Sequence, residues 1–539
     1  MAETKREIER KYAADDSGLP DLTGVAGVAA VLDQGVAELD ATYYDTPDLR
    51  LAAASITLRR RTGGSDAGWH LKLPVSPGVR DEIRAPLSGT LPPALAALVR
   101  SRVRDGEPVP VVRLRSARDV RHLVDADGAL LAEVSLDTVR AERLSGGSGT
   151  AQWTEIEVEL ADGGDPAFLD RVDKRLRKAG VRPAKSPSKL ARALAETDPG
   201  PLDADAGAGS AGKESPGKES PGKESSGKEG PGGAGSGKGG GGKKGSSGGH
   251  VTAGAYVLAY LREQRDAIVA LDPAVRQEVP DAVHSMRVAT RRTRSAFRSY
   301  AKVLDRAVTD PVGAELKWLA GELGVDRDRE VLTAHLTAAL DDLPATLVAG
   351  PVHDRLHSWA RERHGGSRRH LIGVLDSRRY LNLLDALDAL LADPPLRRAA
   401  AAKPAKVAAK AVRKDVRKLS VLVEEALWLP PGQERDVALH EARKRAKRTR
   451  YAAEAAEPAL GAPARKLVKS VKSVQKVLGE HQDSVMARTT LGELAAVAHA
   501  TGESAFTYGV LYGREEHRAA LSEAALPERW EKVRRTTAV

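Results

Sequence analysis

The sequence has no cysteine, only 3 phenylalanines, and 4% aromatic residues over 539 positions. Lacking thiols, the chain makes no disulfide, no thiolate metal site and no cysteine nucleophile, which fits a reducing compartment. Lacking aromatic bulk, its cores must rest on Leu, Val, Ile and Ala, and an apolar share of 41% supplies them. No run of about 18 apolar residues occurs, so no segment is read as spanning a bilayer and no membrane partner is expected. The stretch Met1–Lys11 is charged throughout and has no apolar core, which argues against a secretory signal.

What the chain does have is length and positive charge. At roughly 100–200 residues per domain it should hold two or more. Lys+Arg 84 against Asp+Glu 74 leaves a net charge of +10. That predicts an anionic partner, whether nucleic acid, anionic lipid or phosphates. Composition breaks once, from about Asp198 to Gly249, where Gly, Ser, Lys, Glu and Pro dominate and Gly-Lys-Glu-Ser recurs from Gly212, Gly217 and Gly222. Such a segment buries too little area to offset its ordering entropy, and reads as a flexible tether.

Before the tether the hydrophobic period is 2. Ser55–Arg61, Trp69–Leu73, Val109–Arg115, Leu130–Leu136 and Trp153–Leu160 all alternate, with turn signals at Gly63-Gly64, Asp127-Gly128 and Gly146-Gly147. After the tether the period is 3.6, in long Ala/Leu/Arg/Glu segments broken near Pro280, Pro311, Pro344, Pro394 and Pro430. The expectation is an α+β multidomain chain: an antiparallel sheet or barrel with a few helices over 1–197, a linker over 198–249, and an all-helical pair of bundles over 250–539.

The strands carry charge at positions of equal parity. Glu7, Glu9 and Lys11 share one face of the first strand; Arg59 and Arg61, Arg113 and Arg115, and Glu155, Glu157 and Glu159 do the same in later ones. Lys72 and Glu82 lie in similar short strands, and His70 is expected to point away from Lys72. A wetted sheet face explains charges at such spacing. Against it, the charges separate by strand into acidic and basic sets, with apolar residues on the opposite faces. A closed barrel with a charged lumen suits a polyanion and divalent cations, Arg and Lys holding phosphoryl oxygens and carboxylates holding Mg²⁺ or Mn²⁺.

Glu7-Ile-Glu-Arg-Lys11 resembles the ExExK signature of the CYTH superfamily, the triphosphate tunnel metalloenzymes. Tyr43–Asp48, Thr57–Arg61 and Glu155–Glu159 resemble its later motifs, in the family's order. The resemblance implies an eight-stranded antiparallel β tunnel that hydrolyses triphosphates or cyclises ATP. It implies metal binding by Glu7, Glu9 and Glu157 and by Glu155 or Glu159, with Asp137 as a further recurring acid. It implies triphosphate binding by Lys11, Arg59, Arg61, Lys72, Glu82, Arg115 and Lys189, and by Arg113 or Arg118, whose opposite parity lets only one face inward. Water attacks directly in this chemistry, with Mg²⁺ or Mn²⁺ as cofactor.

In the helical half, His284–Arg294 and His440–Arg450 align: each has a histidine followed by cations at +3, +7, +8 and +10. This points to an internal duplication. At about 100° per residue, His284, Arg287, Arg291, Arg294 and Arg298 form one stripe, separate from Met286, Phe297, Tyr300 and Leu304. A solvated face is the ordinary source of such a charge run, but it requires neither the histidines nor the repeat. These motifs, with Leu478-Gly-Glu-His-Gln-Asp483, resemble the CHAD domain, the conserved-histidine α-helical domain associated with inorganic polyphosphate. The resemblance implies a pseudo-two-fold pair of bundles with groove residues His284, Arg287, Arg291, Arg294, Arg298, His440, Arg443, Lys447, Arg450 and His481, and adds Lys414 and Arg417. Scarce aromatics and the lack of a base-reading motif weigh against nucleic acid. The expectation is a metal-dependent triphosphatase tethered to a polyphosphate-binding domain, in the cytoplasm at polyphosphate granules; the alternatives are a non-catalytic scaffold and an adenylate cyclase.

Overall fold

The computed structural model describes residues 3–14, 18–198, 251–364 and 367–537; the expected tether beyond Asp198 lies outside them. Contacts divide the chain into two units: Met1–Ile8, Tyr44–Val109 and Val251–Val539 in one, Glu9–Tyr43 and Pro110–His250 in the other.

The N-terminal part is an antiparallel β tunnel. Its long strands are β1 (Glu3–Ala13), β2 (Ala30–Asp45), β3 (Thr57–Thr62), β4 (Gly68–Ser76), β5 (Val79–Pro86), β6 (Val109–Val124), β7 (Leu130–Arg143) and β8 (Thr150–Leu160), with a two-residue β9 (Arg182–Pro183). Their order is β5-β4-β3-β2-β6-β7-β8-β1-β9, and a further pairing of β5 with β1 closes the tunnel. Local chemistry sets the turns. The Asp125 carboxylate accepts from the N–H groups of Asp127 and Ala129 at 3.0 and 2.8 Å, and Gly128 supplies φ 80° between β6 and β7. Asp45, fully buried, accepts from the N–H groups of Thr46, Leu51 and Ala52 at 2.7, 2.8 and 2.8 Å. The first aspartate of the Tyr43–Asp48 motif therefore anchors the short helix α1 (Arg50–Ala53).

Outward-facing apolar positions are covered. Leu58, Leu71 and Ile83 pack with Leu95 and Val99 of α2 (Pro93–Val103) in one core. In the second unit, α3 (Ala167–Lys178) and α4 (Lys189–Glu196) lie against β8, and Ile156 and Val158 are fully buried. Covering this face of β8 leaves its charged face on the inside.

The helical region runs through α5 (Ala253–Arg276), α6 (Ala282–Ser299), α7 (Arg306–Glu322), α8 (Val325–Asp341), α9 (Val352–His364), α10 (Ser367–Asp376), α11 (Arg378–Ala392), α12 (Pro404–Trp428), α13 (Gln433–Leu460), α14 (Ala462–Ala500) and α15 (Phe506–Thr537). Met286, Phe297, Tyr300 and Leu304 are buried in a core that also takes side chains from α5, α7 and α11. A second core joins α12, α13, α14 and α15, and a third joins α8 and α9 to α14 and α15. Pro311 does not break a helix as expected; it sits in the second turn of α7, where it cannot donate to the Ala307 carbonyl but the helix continues to Glu322. Pro280, Pro344, Pro394 and Pro430 do lie between helices. Among the described residues, no helix is long and apolar enough to cross a membrane.

Candidate phosphate and metal sites

In the second unit, strand register gathers one set of charges. Glu157 lies opposite Lys11 on one neighbour and Ser135 on the other; Glu155 lies opposite Asp137, and Asp137 opposite Arg118. Arg118 donates to Asp137 at 2.7 and 2.8 Å and to Glu157 at 3.0 Å. Lys11 donates to Glu157 and lies 3.1 Å from Glu9. Ser188 caps α4 by accepting from the Ala191 N–H, which brings Lys189 over the strands. Lys189 Nζ sits 2.8 Å from Asp137, 2.8 Å from Glu155 and 2.6 Å from Glu157. Burial opposes the charge on Lys189, but Asp137, Glu157 and Glu155 outweigh it and hold the ammonium above its ordinary range. Burial likewise pushes Asp137 up, and Lys189 and Arg118 bring it below the usual carboxylate range.

Asp137, Glu155 and Glu157 each offer an oxygen within 4.8 Å of the others, a hard donor set that fits Mg²⁺ or Mn²⁺. The Lys189 ammonium already lies among those oxygens, so a divalent ion there would compete with it. A second acidic row lies beside it, with the Lys11 ammonium 3.1 Å from its Glu9. Glu159 is directly opposite Glu9 on β1 and Glu133 on β7. Opposed like charges destabilise a sheet; Lys11 near Glu9 and His122 at 3.5 Å from Glu133 offset part of that cost, and a divalent cation would offset more. Glu133 was not singled out from sequence, because one glutamate in an otherwise apolar alternation carries no motif.

In the first unit, fully buried Glu82 is the centre of a second set. Its carboxylate accepts from Arg84 at 2.5 Å and lies 3.0 Å from His70 Nδ1, 3.5 Å from Lys72 and 3.7 Å from Arg59. Burial would raise its pKa, but the His70 bond and the fields of Lys72 and Arg59 hold it well below the usual range. Glu7 accepts from Lys72 at 2.5 Å and is 3.8 Å from Arg84. Arg61 pairs with Asp66. Arg60, of opposite parity, donates instead to the Ser88 carbonyl at 3.0 Å.

In the helical region a cleft of about 1140 Å³ is lined by α6 and α13 among other elements. From α6 it takes His284, Arg287, Arg291, Arg294 and Arg298; from α13 it takes His440, Arg443, Lys447 and Arg448. Burial lowers the Arg294 pKa, and Arg298, Arg448 and Arg291 lower it further. Arg448 is lowered by burial too, with Asp415 opposing and Arg445 and Arg298 adding to it. Cations that depress one another in this way are stabilised by a polyanion.

The CYTH-domain profile matches residues 5–194 and the CHAD-domain profile matches 259–492. The chain belongs to the CYTH and CHAD families. An uncharacterized protein of Mycobacterium tuberculosis (strain ATCC 25618 / H37Rv) is 38% identical over 526 residues, covering 94% of this chain and 92% of that protein. Human thiamine-triphosphatase is 40% identical over 79 residues, which are 15% of this chain and 31% of that enzyme. Among solved structures, PptA from Streptomyces chartreusis aligns with TM-score 0.44 and 21% identity over 52% of this chain and 99% of its own.

Within the CYTH domain, not every expected residue joins a cluster. Arg113 pairs with Asp40 at 2.9 and 2.5 Å, and Arg115 lies 3.8 Å from the same carboxylate. Both are at odd positions of β6, so they face away from Arg118, which is the residue that turns inward. His70 also corrects the expectation. It is two residues from Lys72, not one, so the two share a face, and His70 is buried against Glu82.

Within the CHAD domain, Arg450 and His481 lie outside the cleft. Arg450 is held by Gln475 at 2.8 Å and Glu454 at 2.7 Å. His481 is buried, its Nε2 3.2 Å from both Asp436 and Glu523, and those acids also pair with Arg488 and Arg435 at 3.0 Å each. Lys414 and Arg417 are exposed on α12, away from the cleft lining. Arg445 and Arg448 line it unanticipated, and both lie near buried Asp415, at 3.6 and 3.3 Å. The duplication also extends further than the basic helices. Gly324 of Leu323-Gly324 and Gly479 of Leu478-Gly479 follow their histidines by 40 and 39 residues, and each lies under the +3 arginine of its own repeat. A Cβ on Gly324 would clash with the guanidinium of Arg287, and one on Gly479 would come within 3.8 Å of Arg443 Nε.

Proposed function

We propose that the CYTH domain hydrolyses a triphosphate with Mg²⁺ or Mn²⁺, and that the CHAD cleft binds inorganic polyphosphate. The observation that carries the first part is the pairing of an opposed acidic row, Glu9, Glu159 and Glu133, with cations on the same inner strand faces. Divalent ions held by that row, with Glu157, would neutralise phosphoryl charge and order the attacking water. Lys11, Arg118 and Lys189 in one set, and Arg59, Arg61, Lys72 and Arg84 in the other, hold phosphoryl oxygens. These cations are now paired with carboxylates, so substrate exchanges one set of ion pairs for another and meets preorganised donors. The thiamine-triphosphatase relative supports a triphosphate as substrate class. For the CHAD domain, one-turn spacing of arginines along α6 matches a regular anionic polymer.

The test is phosphate release by the full chain with Mg²⁺ or Mn²⁺, using tripolyphosphate, thiamine triphosphate, nucleotides and long-chain polyphosphate. Orthophosphate from at least one short triphosphate is expected. Release from none, or pyrophosphate together with cyclic AMP from ATP, would overturn the hydrolase reading.

A further inference from the structure

We propose that His70 is a positioning residue held as an imidazolium, which fixes Glu82 among the cations of β3, β4 and β5. This rests on the triphosphatase reading for its purpose, but its geometry stands apart. The ring is buried, with Nε2 2.9 Å from the Asp66 carbonyl oxygen and Nδ1 3.0 Å from Glu82 Oε1. A backbone carbonyl only accepts a hydrogen bond, and so does an ionised carboxylate. Glu82 is kept ionised by Arg84 at 2.5 Å, Lys72 at 3.5 Å and Arg59 at 3.7 Å. Both ring nitrogens must therefore donate. Either neutral tautomer leaves a nitrogen lone pair facing an oxygen lone pair inside the protein, where no water relieves it.

The opposing forces are also identifiable. Burial is the largest influence and lowers the His70 pKa, the bond to Glu82 and its charge raise it, and Arg59 and Arg61 lower it. With no anion on those arginines the balance falls at about 4. The two acceptor oxygens facing the ring are the geometric argument for the second proton. Around the ring stand Arg59 and Arg61 from β3, Lys72 from β4, Glu82 and Arg84 from β5, and Asp66 in the intervening turn. The two arginines that oppose the imidazolium are among those assigned to phosphoryl oxygens. An anion on them cancels their opposition, so triphosphate and the His70 proton favour each other's binding. Without the ring's two donors, Glu82 is free to collapse onto Arg59 or Lys72 and take a cation from the substrate.

The experiment is nitrogen NMR of the histidine rings in the full chain at pH 7, with and without tripolyphosphate and Mg²⁺. His70 is assigned by its loss in His70→Gln, or in His70→Asn if the first variant does not fold. Two protonated ring nitrogens in the ligand-bound protein are expected; one unprotonated nitrogen there overturns the proposal. In parallel, His70→Gln should raise KM for tripolyphosphate about tenfold with kcat within about twofold, because a charge-assisted hydrogen bond is lost. An unchanged KM overturns the positioning role. If the wild-type chain releases no phosphate, the triphosphatase reading fails, and the wild-type ring spectrum still decides the state of His70.

Discussion

Glu9, Glu159 and Glu133 stand in one row across three strands, so replacing one acid changes the charge a metal would meet while the backbone pairing survives. Glu9→Gln is expected to cut phosphate release about 100-fold at millimolar Mg²⁺ with the melting temperature nearly unchanged. Near-normal turnover in excess metal would remove Glu9 from the site. Arg59→Ala and Arg61→Ala should each impair tripolyphosphate hydrolysis far more than Arg60→Ala, since Arg60 bonds the Ser88 carbonyl on the other face. Equal losses in steady-state kinetics would show the inner face to be misassigned. Gly324→Ala tests the CHAD cleft without removing a charge. Its methyl group meets the flexible end of Arg287, not backbone. The fold should hold while Arg287 is displaced and polyphosphate affinity falls about fivefold by titration calorimetry.

At the level of strands and helices, much was legible because two periods differ so plainly. Alternation located β3, β4 and β8, and it put Glu155, Glu157 and Glu159 on one face, where the register places them. Alternation says nothing about which strand lies beside which. Glu133 gained its meaning only when β7 was set beside β8, and Lys189, named from the motif resemblance, gained its three carboxylate partners only when α4 came to rest on them. Arg113 and Arg115 were misleading because parity gives a shared face but not whether that face is inside. In the helices the repeat was visible, but unequal use of its copies was not. At +8, Arg292 turns away to Glu454 at 2.9 Å while Arg448 lines the cleft; at +10, Arg294 lines it while Arg450 turns away. Arg448→Ala should therefore weaken polyphosphate binding about tenfold and Arg292→Ala less than about twofold. Matching losses would mean that the two copies contribute alike.

Across the whole molecule, the net charge of +10 favours any polyanion, so salt and pH must separate the cleft from general attraction. Polyphosphate affinity of the full chain should fall roughly a hundredfold between about 50 and 200 mM salt if many cations engage one polymer. Asp483 adds a pH term. Burial raises its pKa against the pull of Arg443, His335, Arg518 and Lys447. As pH falls, this carboxylate in the cleft wall loses its charge earlier than an ordinary aspartate, and a polyanion held there as proposed would bind more tightly. Asp483→Asn should bind more tightly at pH 7 and show a smaller gain on going to pH 5; an unaltered pH response would exclude Asp483 as its source. The cleft has a final consequence for what chain length means. If the cleft binds polyphosphate as proposed, arginines a turn apart would recognise a repeating unit and nothing about its ends, and a linear polyphosphate reads the same in both directions. Each additional unit beyond the footprint therefore adds one more equivalent placement. Affinity per chain is expected to climb in proportion to length by counting alone, with the protein diffusing along its polymer between placements.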